Sequence, residues 1–160
     1  MSDFFTKTDL SRKDAENIIS ETLNNCDDGE LYLENSKSES IVLDDDKIKS
    51  SSYSSDLGYG LRAVTGEEVA YSHSNEISRN SLKQSANNLS STLKSQKGIY
   101  NHEIPKTNEK LYKDINPIDE KSLESKLELL KKVNSYTRAK GGIVQQVTAS
   151  FAGEYKSIEI

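Results

Sequence analysis

His102 and Glu103 are the residues of this chain that most resemble part of a metal site. A zinc site on a helix commonly uses two histidines one turn apart, with a glutamate beside one of them as a general base. Here Lys106 and Thr107 occupy the positions where a second histidine would have to stand, and Pro105 would break the helix. We therefore interpret His102 as a loop histidine.

The remaining candidate ligands are scattered along the chain. His73, His102 and Cys26 lie in separate segments, so no short-range pair holds two of them on one element. The sequence has no Gly-x-Ser-x-Gly elbow, and its 2 histidines leave little room for a Ser-His-Asp triad. We predict that the chain contains no catalytic residue and no metal ligand.

Gly58, Gly60 and Ala63 have the spacing of a Gly-x-Gly-x-x-Ala dinucleotide fingerprint, whose glycines let a backbone approach a pyrophosphate. The context argues against a cofactor, because residues 51–56 do not read as a buried strand and residues 64–66 do not begin a helix. We interpret both glycines as strand residues that permit a bulge or a close backbone approach.

Arg62 lies among small and apolar residues of the same predicted strand. A partly buried guanidinium needs a carboxylate, a carbonyl or a peptide terminus as its partner. Two readings stay open, a structural ion pair and a contact with a substrate or subunit. Gly58, Gly60, Tyr71 and Ser72 join Arg62 as candidate contacts, although the last two also suit turn or capping roles.

Two amphipathic helices flank this segment. The first is predicted over about residues 9–25, with Ser11 and Asp14 as an approximate capping box. The second begins after the N-cap Ser78, where Ile77 and Leu82 form a hydrophobic staple. Its apolar stripe comprises Leu82, Ala86, Leu89 and Leu93.

A third helix follows a long surface connection, which we predict over residues 94–117 because it contains both prolines. The helix itself is predicted over about residues 118–140 and ends at Gly141 and Gly142. Its apolar face is predicted to comprise Leu123, Leu127, Leu130, Val133 and Thr137.

Antiparallel strands are predicted in the remaining segments. Residues 30–35 and 40–43 read as two short strands, and residues 44–46 as a turn. A hairpin reverses at residues 65–67, and the tail reads as two strands that reverse near Gly153. The pattern predicts a single α+β domain over residues 1–160, in which an antiparallel sheet of hairpins and a meander is packed by about three helices.

Composition and charge restrict the class of protein. A length of 160 residues suits one domain, and a net charge of -5 without a basic run disfavours a nucleic-acid surface. The first residues lack a signal-peptide core, Cys26 has no partner for an internal disulfide, and no apolar stretch could cross a bilayer. We expect a cytoplasmic protein with no membrane or nucleic-acid partner.

Four segments carry a resemblance to a known family: residues 28–35, residues 41–49, Gly58 to Arg62, and Leu111-Tyr112 with Asn116-Pro117. They resemble the amino-terminal domain of the TldD/PmbA family of bacterial metallopeptidases, of the TldD type. One departure is Glu68-Val69-Ala70-Tyr71, where many relatives carry Gly-Phe-Ala-Tyr. The resemblance implies a zinc-dependent site, on a His-Glu-x-x-x-His motif beyond this chain, that degrades or trims unfolded peptides.

The resemblance also implies an assembly, in which TldD-type subunits join PmbA/TldE-type partners and one another around a chamber. We therefore expect a non-catalytic amino-terminal domain, part of a longer protein, that binds no zinc itself and forms chamber wall and subunit interface. One alternative is a scaffold module of a PmbA/TldE-like subunit. Another is an independent peptide-binding domain complete at residue 160. The peptide substrate, the oligomeric state and the role of Arg62 stay open.

Overall fold

The computed structural model describes residues 4–6, 8–93 and 115–160. Within these ranges its strands form one sheet in the order β3-β2-β1-β4, with β2 and β3 antiparallel. The predicted α+β fold with an antiparallel sheet and three helices is confirmed. The elements are α1 (Arg12–Leu23), β1 (Asp28–Asp44), β2 (Lys47–Thr65), β3 (Glu68–Ser74), α2 (Arg79–Thr92), α3 (Leu123–Arg138) and β4 (Thr148–Glu159).

The described residues divide into two compact units. Residues 4–6, 8–35, 56–93 and 157–160 belong to the first unit, and residues 36–55 and 115–156 to the second. Strands β1 and β2 contribute residues to both units. A single domain over residues 1–160 stays a prediction, and most of the predicted connection over residues 94–117 lies outside the described residues.

The strands are longer than the sequence predicts. One continuous strand, β1, covers both of the short strands predicted over residues 30–35 and 40–43, so that prediction is wrong. The polar residues between them stay extended because a strand ladder uses backbone groups and does not require apolar side chains. Strand β4 likewise continues through Gly153, where a reversal is predicted, and the exposed Ile143 precedes it in a loop.

The turns lie where the sequence predicts them. Asp45 and Asp46, which join β1 to β2, have φ angles of 47° and 66°. Positive φ at both central residues is what a two-residue hairpin turn of type I′ requires. Gly66, with a φ of 60°, occupies the reversal between β2 and β3. Aspartate and glycine tolerate these angles better than most residues do.

Helices α1 and α2 pack on the first unit's apolar core. Their N-caps are the predicted ones, since Ser11 accepts a hydrogen bond from the amide of Asp14 and Ser78 accepts one from Ser81, both at 3.1 Å. The predicted stripe of α2 is buried throughout. The core also includes Leu10, Ala15, Ile18, Leu23, Leu31, Leu33, Leu61, Ala63, Ala70 and Ile77.

Helix α3 departs from its prediction in both its start and its buried face. It begins at Leu123, after the N-cap Ser122, and not near residue 118. Leu123 and Val133, which are predicted to be buried, are about half exposed. Leu130 is buried as predicted and Leu127 packs partly against the core, but the other buried residues of the helix are Lys126 and Asn134.

The change of buried face has a physical reason, which is an ion pair between two residues that are far apart in the sequence. Lys126 is 5% exposed, and its Nζ donates to Glu39 Oε1 at 2.5 Å and to the carbonyl of Ile118 at 2.8 Å. The same ammonium lies 5.8 Å from the centre of the Phe151 ring. A charge with this set of partners can be buried, so an apolar stripe alone does not decide which face packs.

Candidate functional site

The sheet of the first unit has two different faces. Leu31, Leu33 and Leu61 point into the core, so strand alternation places their neighbours on the opposite face. The register of β2 with β3 pairs Arg62 with Tyr71 and Gly60 with His73. We call this surface the outer face, and it comprises Asp28, Glu30, Tyr32, Glu34, Gly58, Gly60, Arg62, Tyr71 and His73.

Arg62 bridges two strands on the outer face. Its Nη2 donates to Asp28 Oδ2 at 2.7 Å, and its Nε donates to Glu30 Oε1 at 3.0 Å. These two hydrogen bonds raise the pKa of Arg62, and the bond from Arg62 lowers the pKa of Asp28. The structural ion pair is therefore present. The side chain keeps 33% exposure, so a second contact of the guanidinium with a ligand stays a prediction.

Gly58 and Gly60 both stand where a side chain would collide with a neighbour. A Cβ at Gly58 would lie 2.7 Å from the carbonyl oxygen of Ser74. A Cβ at Gly60 would lie 3.0 Å from Cε2 of Tyr71, whose ring crosses over that glycine. The first is the close backbone approach expected of a strand glycine, whereas at Gly60 the neighbour is the side chain of Tyr71, whose ring lies over the glycine.

Aromatic rings occupy the strand beside Arg62. Tyr71 and His73 stack with their ring centres 5.9 Å apart and their planes inclined by 28°. Both residues are exposed. Exposed stacked rings next to a guanidinium offer apolar and cation-binding contacts to a ligand that lies along β3.

Tyr32 and Glu34 belong to the outer face but were not among the candidate contacts. The hydroxyl of Tyr32 donates to Glu34 Oε2 at 2.5 Å. This hydrogen bond is the main cause that raises the pKa of Tyr32 to about 12. Because side chains alternate between the two faces of a strand, the apolar Leu31 and Leu33 were the signal that Tyr32 and Glu34 lie on the same face as Arg62.

Ser72 is separated from the other four candidate contacts, because its side chain points toward the helices. Its hydroxyl donates to Ser85 Oγ at 3.0 Å, and Ser85 also hydrogen-bonds with Tyr59 at 2.9 Å. Tyr59 makes a further hydrogen bond with Ser81 at 2.9 Å. The chain of hydroxyls fastens α2 to the sheet, which gives Ser72 a structural role.

Metal ligands are not gathered in the described ranges. Among residues 4–6, 8–93 and 115–160, no group of three or more His, Cys, Asp or Glu residues could hold a metal ion. The described residues therefore do not fit a zinc site. His102 and Glu103 lie outside them. Cys26 is buried, and its Sγ lies 3.8 Å from the carbonyl oxygen of Thr22.

Helix α3 carries the second candidate surface, which we call the α3 stripe: Leu129, Val133 and Tyr136. The spacing of these residues places them on one side of the helix. They are 51%, 43% and 67% exposed. The ammonium of Lys140 lies 4.1 Å from the centre of the Tyr136 ring. The sequence pattern did not predict this surface, because Val133 falls on the predicted buried face.

The two surfaces are suited to binding. The outer face combines rings with charged groups that are already hydrogen-bonded, and the α3 stripe offers apolar area to a partner. In the described part of the chain, no helix has the length and apolar character needed to cross a membrane.

Solved structures share this fold. TldE from Thermococcus kodakarensis aligns with a TM-score of 0.59 and 13% identity, over 91% of this chain and 34% of that protein. A protein from Bacteroides thetaiotaomicron, described as a candidate modulator of DNA gyrase, aligns with a TM-score of 0.57 and 21% identity, over 92% of this chain and 38% of its own. Likeness at these identities concerns the fold alone.

Comparisons of sequence identify the family. Residues 29–92 match a family model described as PmbA/TldA metallopeptidase domain 1. The metalloprotease TldD homologue of Buchnera aphidicola subsp. Acyrthosiphon pisum is 35% identical over 82% of this chain. The homologue of Haemophilus influenzae is 33% identical over 85% of it. The chain spans 28% and 29% of the length of these two relatives. It belongs to the TldD/PmbA family, as an amino-terminal domain of the TldD type.

Proposed function

We propose that this chain is the non-catalytic amino-terminal domain of a cytoplasmic, zinc-dependent peptidase that degrades or trims unfolded peptides. In this proposal the domain forms part of a chamber wall and of a subunit interface. The name metalloprotease carried by the curated relatives supports the peptidase. The observation that carries the interface role is the exposure of the α3 stripe.

The α3 stripe has the composition of an interface. Aromatic and large apolar residues are enriched in the buried centres of protein interfaces, and a helix often presents them at spacings of three and four residues. The helix cannot turn to bury the stripe without exposing Lys126 and breaking its bond to Glu39. The family resemblance implies a PmbA/TldE-like subunit as the partner that covers the stripe. A second copy of the intact protein is the other partner that could cover it.

The interface can be tested with a matched pair of substitutions in the intact protein. Val133→Asp places a carboxylate in the stripe, whereas Ser135→Asp places the same group at an exposed position outside it. We expect at least a tenfold weaker association for Val133→Asp, measured by native mass spectrometry with and without the PmbA/TldE-like subunit. Equal association of both variants and the unmodified protein would reject this interface.

The outer face supports a peptide-binding role. Strand β3 stands at the end of the sheet order among the described strands. An extended peptide can add to an edge strand by backbone hydrogen bonds, which gives affinity with little sequence preference. In this proposal the rings of Tyr71 and His73 contact the peptide's side chains, and Gly58, Gly60 and Arg62 shape the adjacent surface.

Hydrogen exchange tests the peptide site directly. An unstructured peptide added to the intact protein is expected to slow amide exchange in residues 68–74. Tyr71→Ser is expected to remove that protection, whereas Tyr53→Ser, which changes an exposed tyrosine of the second unit, is the matched control. Bound peptide without slower exchange in β3 would refute this site.

The alternative function is a scaffold module of a PmbA/TldE-like subunit. The two proposals differ in the zinc content and peptidase activity of the intact protein, because a scaffold needs neither. We expect about one zinc per intact subunit and peptide hydrolysis by the assembled protein, with no hydrolysis by the 160-residue chain alone. Intact protein that assembles but contains no zinc and hydrolyses no peptide would favour the scaffold.

A further inference from the structure

Strand β3 is an edge strand that lacks the usual protection against further pairing. It stands at the end of the sheet order among the described strands, and it pairs with β2 residue for residue, from Thr65 with Glu68 to Tyr59 with Ser74. Edge strands are commonly protected by lysine, by proline or by a bulge. Strand β3 contains neither lysine nor proline, and its register with β2 is uninterrupted. Its free edge can therefore accept another strand by backbone hydrogen bonds.

The side chains of β3 on the outer face are apolar or aromatic. Val69 and Tyr71 are 61% and 65% exposed, and the ring of His73 stacks on that of Tyr71. These three residues lie at alternate positions of β3, so they share one face of the strand. The alternate side chains of an added strand lie beside them. A peptide at this edge therefore needs side chains that can cover apolar surface and rings.

The charge around β3 is negative. From residue 63 to residue 78 the sequence contains three glutamates, Glu67, Glu68 and Glu76, and it contains no lysine or arginine. Glu67 lies in the turn that precedes β3. Glu76 follows the strand, and its amide donates to Ser74 Oγ at 3.0 Å. Because Glu67 and Glu76 are both exposed, each end of the edge strand presents a carboxylate to a ligand.

The two arginines nearest to β3 in the sequence do not cancel this charge, because each already has a carboxylate partner. The guanidinium of Arg62 donates to both Asp28 and Glu30, so it has one carboxylate more than it can neutralise. Nη2 of Arg79 lies 2.5 Å from Asp14 Oδ2. The surroundings of β3 therefore attract a cationic ligand.

We propose that the peptide accepted at β3 is basic, with lysine or arginine at alternate positions of its extended backbone. This inference rests on the proposed peptide site and names the class of peptide that the site prefers. A long basic side chain has an aliphatic stem that covers apolar surface and a charged head that stays in water. Its stem can pack on Val69, and its head can lie over the exposed ring of Tyr71. The carboxylates of Glu67 and Glu76 attract basic side chains and repel acidic ones.

Nuclear magnetic resonance with the ¹⁵N-labelled 160-residue chain can test this preference. Two peptides of seven residues, the length of β3, are acetylated at one end and amidated at the other. One is Thr-Lys-Thr-Lys-Thr-Lys-Thr, and the other has glutamine in place of each lysine. We expect both peptides to shift the amide signals of residues 68–74, with about tenfold tighter binding of the lysine peptide at low ionic strength.

The outcomes of this titration separate the preference for basic peptides from the peptide site itself. Equal or tighter binding of the glutamine peptide at residues 68–74 would overturn the preference and leave the peptide site intact. The absence of shifts in residues 68–74 with either peptide would reject the peptide site and the preference together.

Two pairs of substitutions separate a local effect from a general attraction to an acidic protein. Glu67→Gln with Glu76→Gln removes one carboxylate at each end of β3, whereas Glu16→Gln with Glu21→Gln removes the same charge from exposed positions of α1. We expect the first pair to weaken binding of the lysine peptide about fivefold and the second pair to weaken it by less than about twofold. Equal weakening by both pairs would overturn the proposal, because it would show attraction to the net charge alone.

The contact with Tyr71 is tested by removing its ring. Tyr71→Leu keeps an apolar side chain but removes the ring face that attracts a cation, so we expect about threefold weaker binding of the lysine peptide and unchanged binding of the glutamine peptide. Tyr53→Leu, at an exposed tyrosine of the second unit, is the control and is expected to change neither affinity. Equal weakening of both peptides by Tyr71→Leu would overturn the cation contact.

Discussion

Helices α2 and α3 bury different kinds of residue in their own units. Helix α2 buries Leu82 and Leu89 in the first unit, and α3 buries Lys126 and Asn134 in the second unit along with Leu130. The apolar stripe of α2 is buried, whereas Leu129, Val133 and Tyr136 of α3 stay exposed. An apolar stripe therefore does not by itself decide which face of a helix is buried, because a well-paired polar group can occupy a buried position.

Breaking the buried ion pair is expected to cause the largest change in the free energy of unfolding. Lys126→Ala leaves the carboxylate of Glu39 buried without its ammonium, and the side chain of Glu39 is only 10% exposed. Loss of one partner of a buried pair costs about 3–5 kcal/mol. Urea unfolding measures this loss, and Lys132→Ala on the exposed face is the control, with a change below about 0.5 kcal/mol. Similar unfolding of both variants would contradict the account of α3.

The apolar stripes themselves can be compared by truncating one leucine in each. Leu82→Ala in α2 creates a cavity in a well-packed core and is expected to cost about 2–5 kcal/mol in the free energy of unfolding. Leu129→Ala in α3 removes a side chain that is half exposed, so we expect a loss below about 1 kcal/mol in the isolated chain. Equal losses in urea unfolding would show that the α3 stripe is packed.

A substitution at Asn134 is expected to change the free energy of unfolding by a smaller amount and in the opposite direction. Its Oδ1 is buried without a hydrogen-bond partner among the described residues. Because an unpaired buried acceptor costs about 1–3 kcal/mol, Asn134→Leu is expected to raise the free energy of unfolding by about 1 kcal/mol. Calorimetry measures the change, and Asn87→Leu on the exposed side of α2 is the control. A lower melting temperature for Asn134→Leu would indicate that the amide makes a needed contact.

The smallest expected effect is a change in the pKa of Tyr32 on the outer face. The bond from Tyr32 to Glu34 raises the pKa of Tyr32 to about 12, above its ordinary value near 10. The stability linked to this bond is therefore fully present below pH 10 and is lost as pH rises toward 12. Glu34→Gln is expected to lower the pKa of Tyr32, measured by phenolate absorbance and compared with Tyr32→Phe to assign the signal. An unchanged pKa of Tyr32 in the Glu34→Gln variant would contradict the hydrogen bond between these two residues.

Much of the first unit could be predicted because its signals are local. The cap Ser78, the stripe of α2 and the turn at Gly66 each depend on residues a few positions apart. The carboxylates that bind Arg62 lie 34 and 32 positions away, so the sequence could predict the need for a partner but not its identity.

The second unit was harder to predict because its decisive contacts are distant. Lys126 and Glu39 are 87 positions apart, and nothing in the helix pattern indicates that this lysine is buried. The continuous strands had a different cause. Residues 36–40 are polar and residue 153 is a glycine, both of which are unfavourable in a strand, but the backbone continues there in strands β1 and β4. Pairing with the neighbouring strands of the sheet outweighed the low strand propensity of these residues.

In our proposal the α3 stripe is an interface in the assembled protein. Hydroxyl-radical footprinting of Leu129 and Tyr136 tests this proposal, by comparing the 160-residue chain with the intact protein mixed with a PmbA/TldE-like subunit. We expect both side chains to react readily in the chain, where they are 51% and 67% exposed, and to become several-fold less reactive in the assembly. Tyr53, at 60% exposure, serves as the reference. Unchanged reactivity of Leu129 and Tyr136 relative to Tyr53 would contradict the claim.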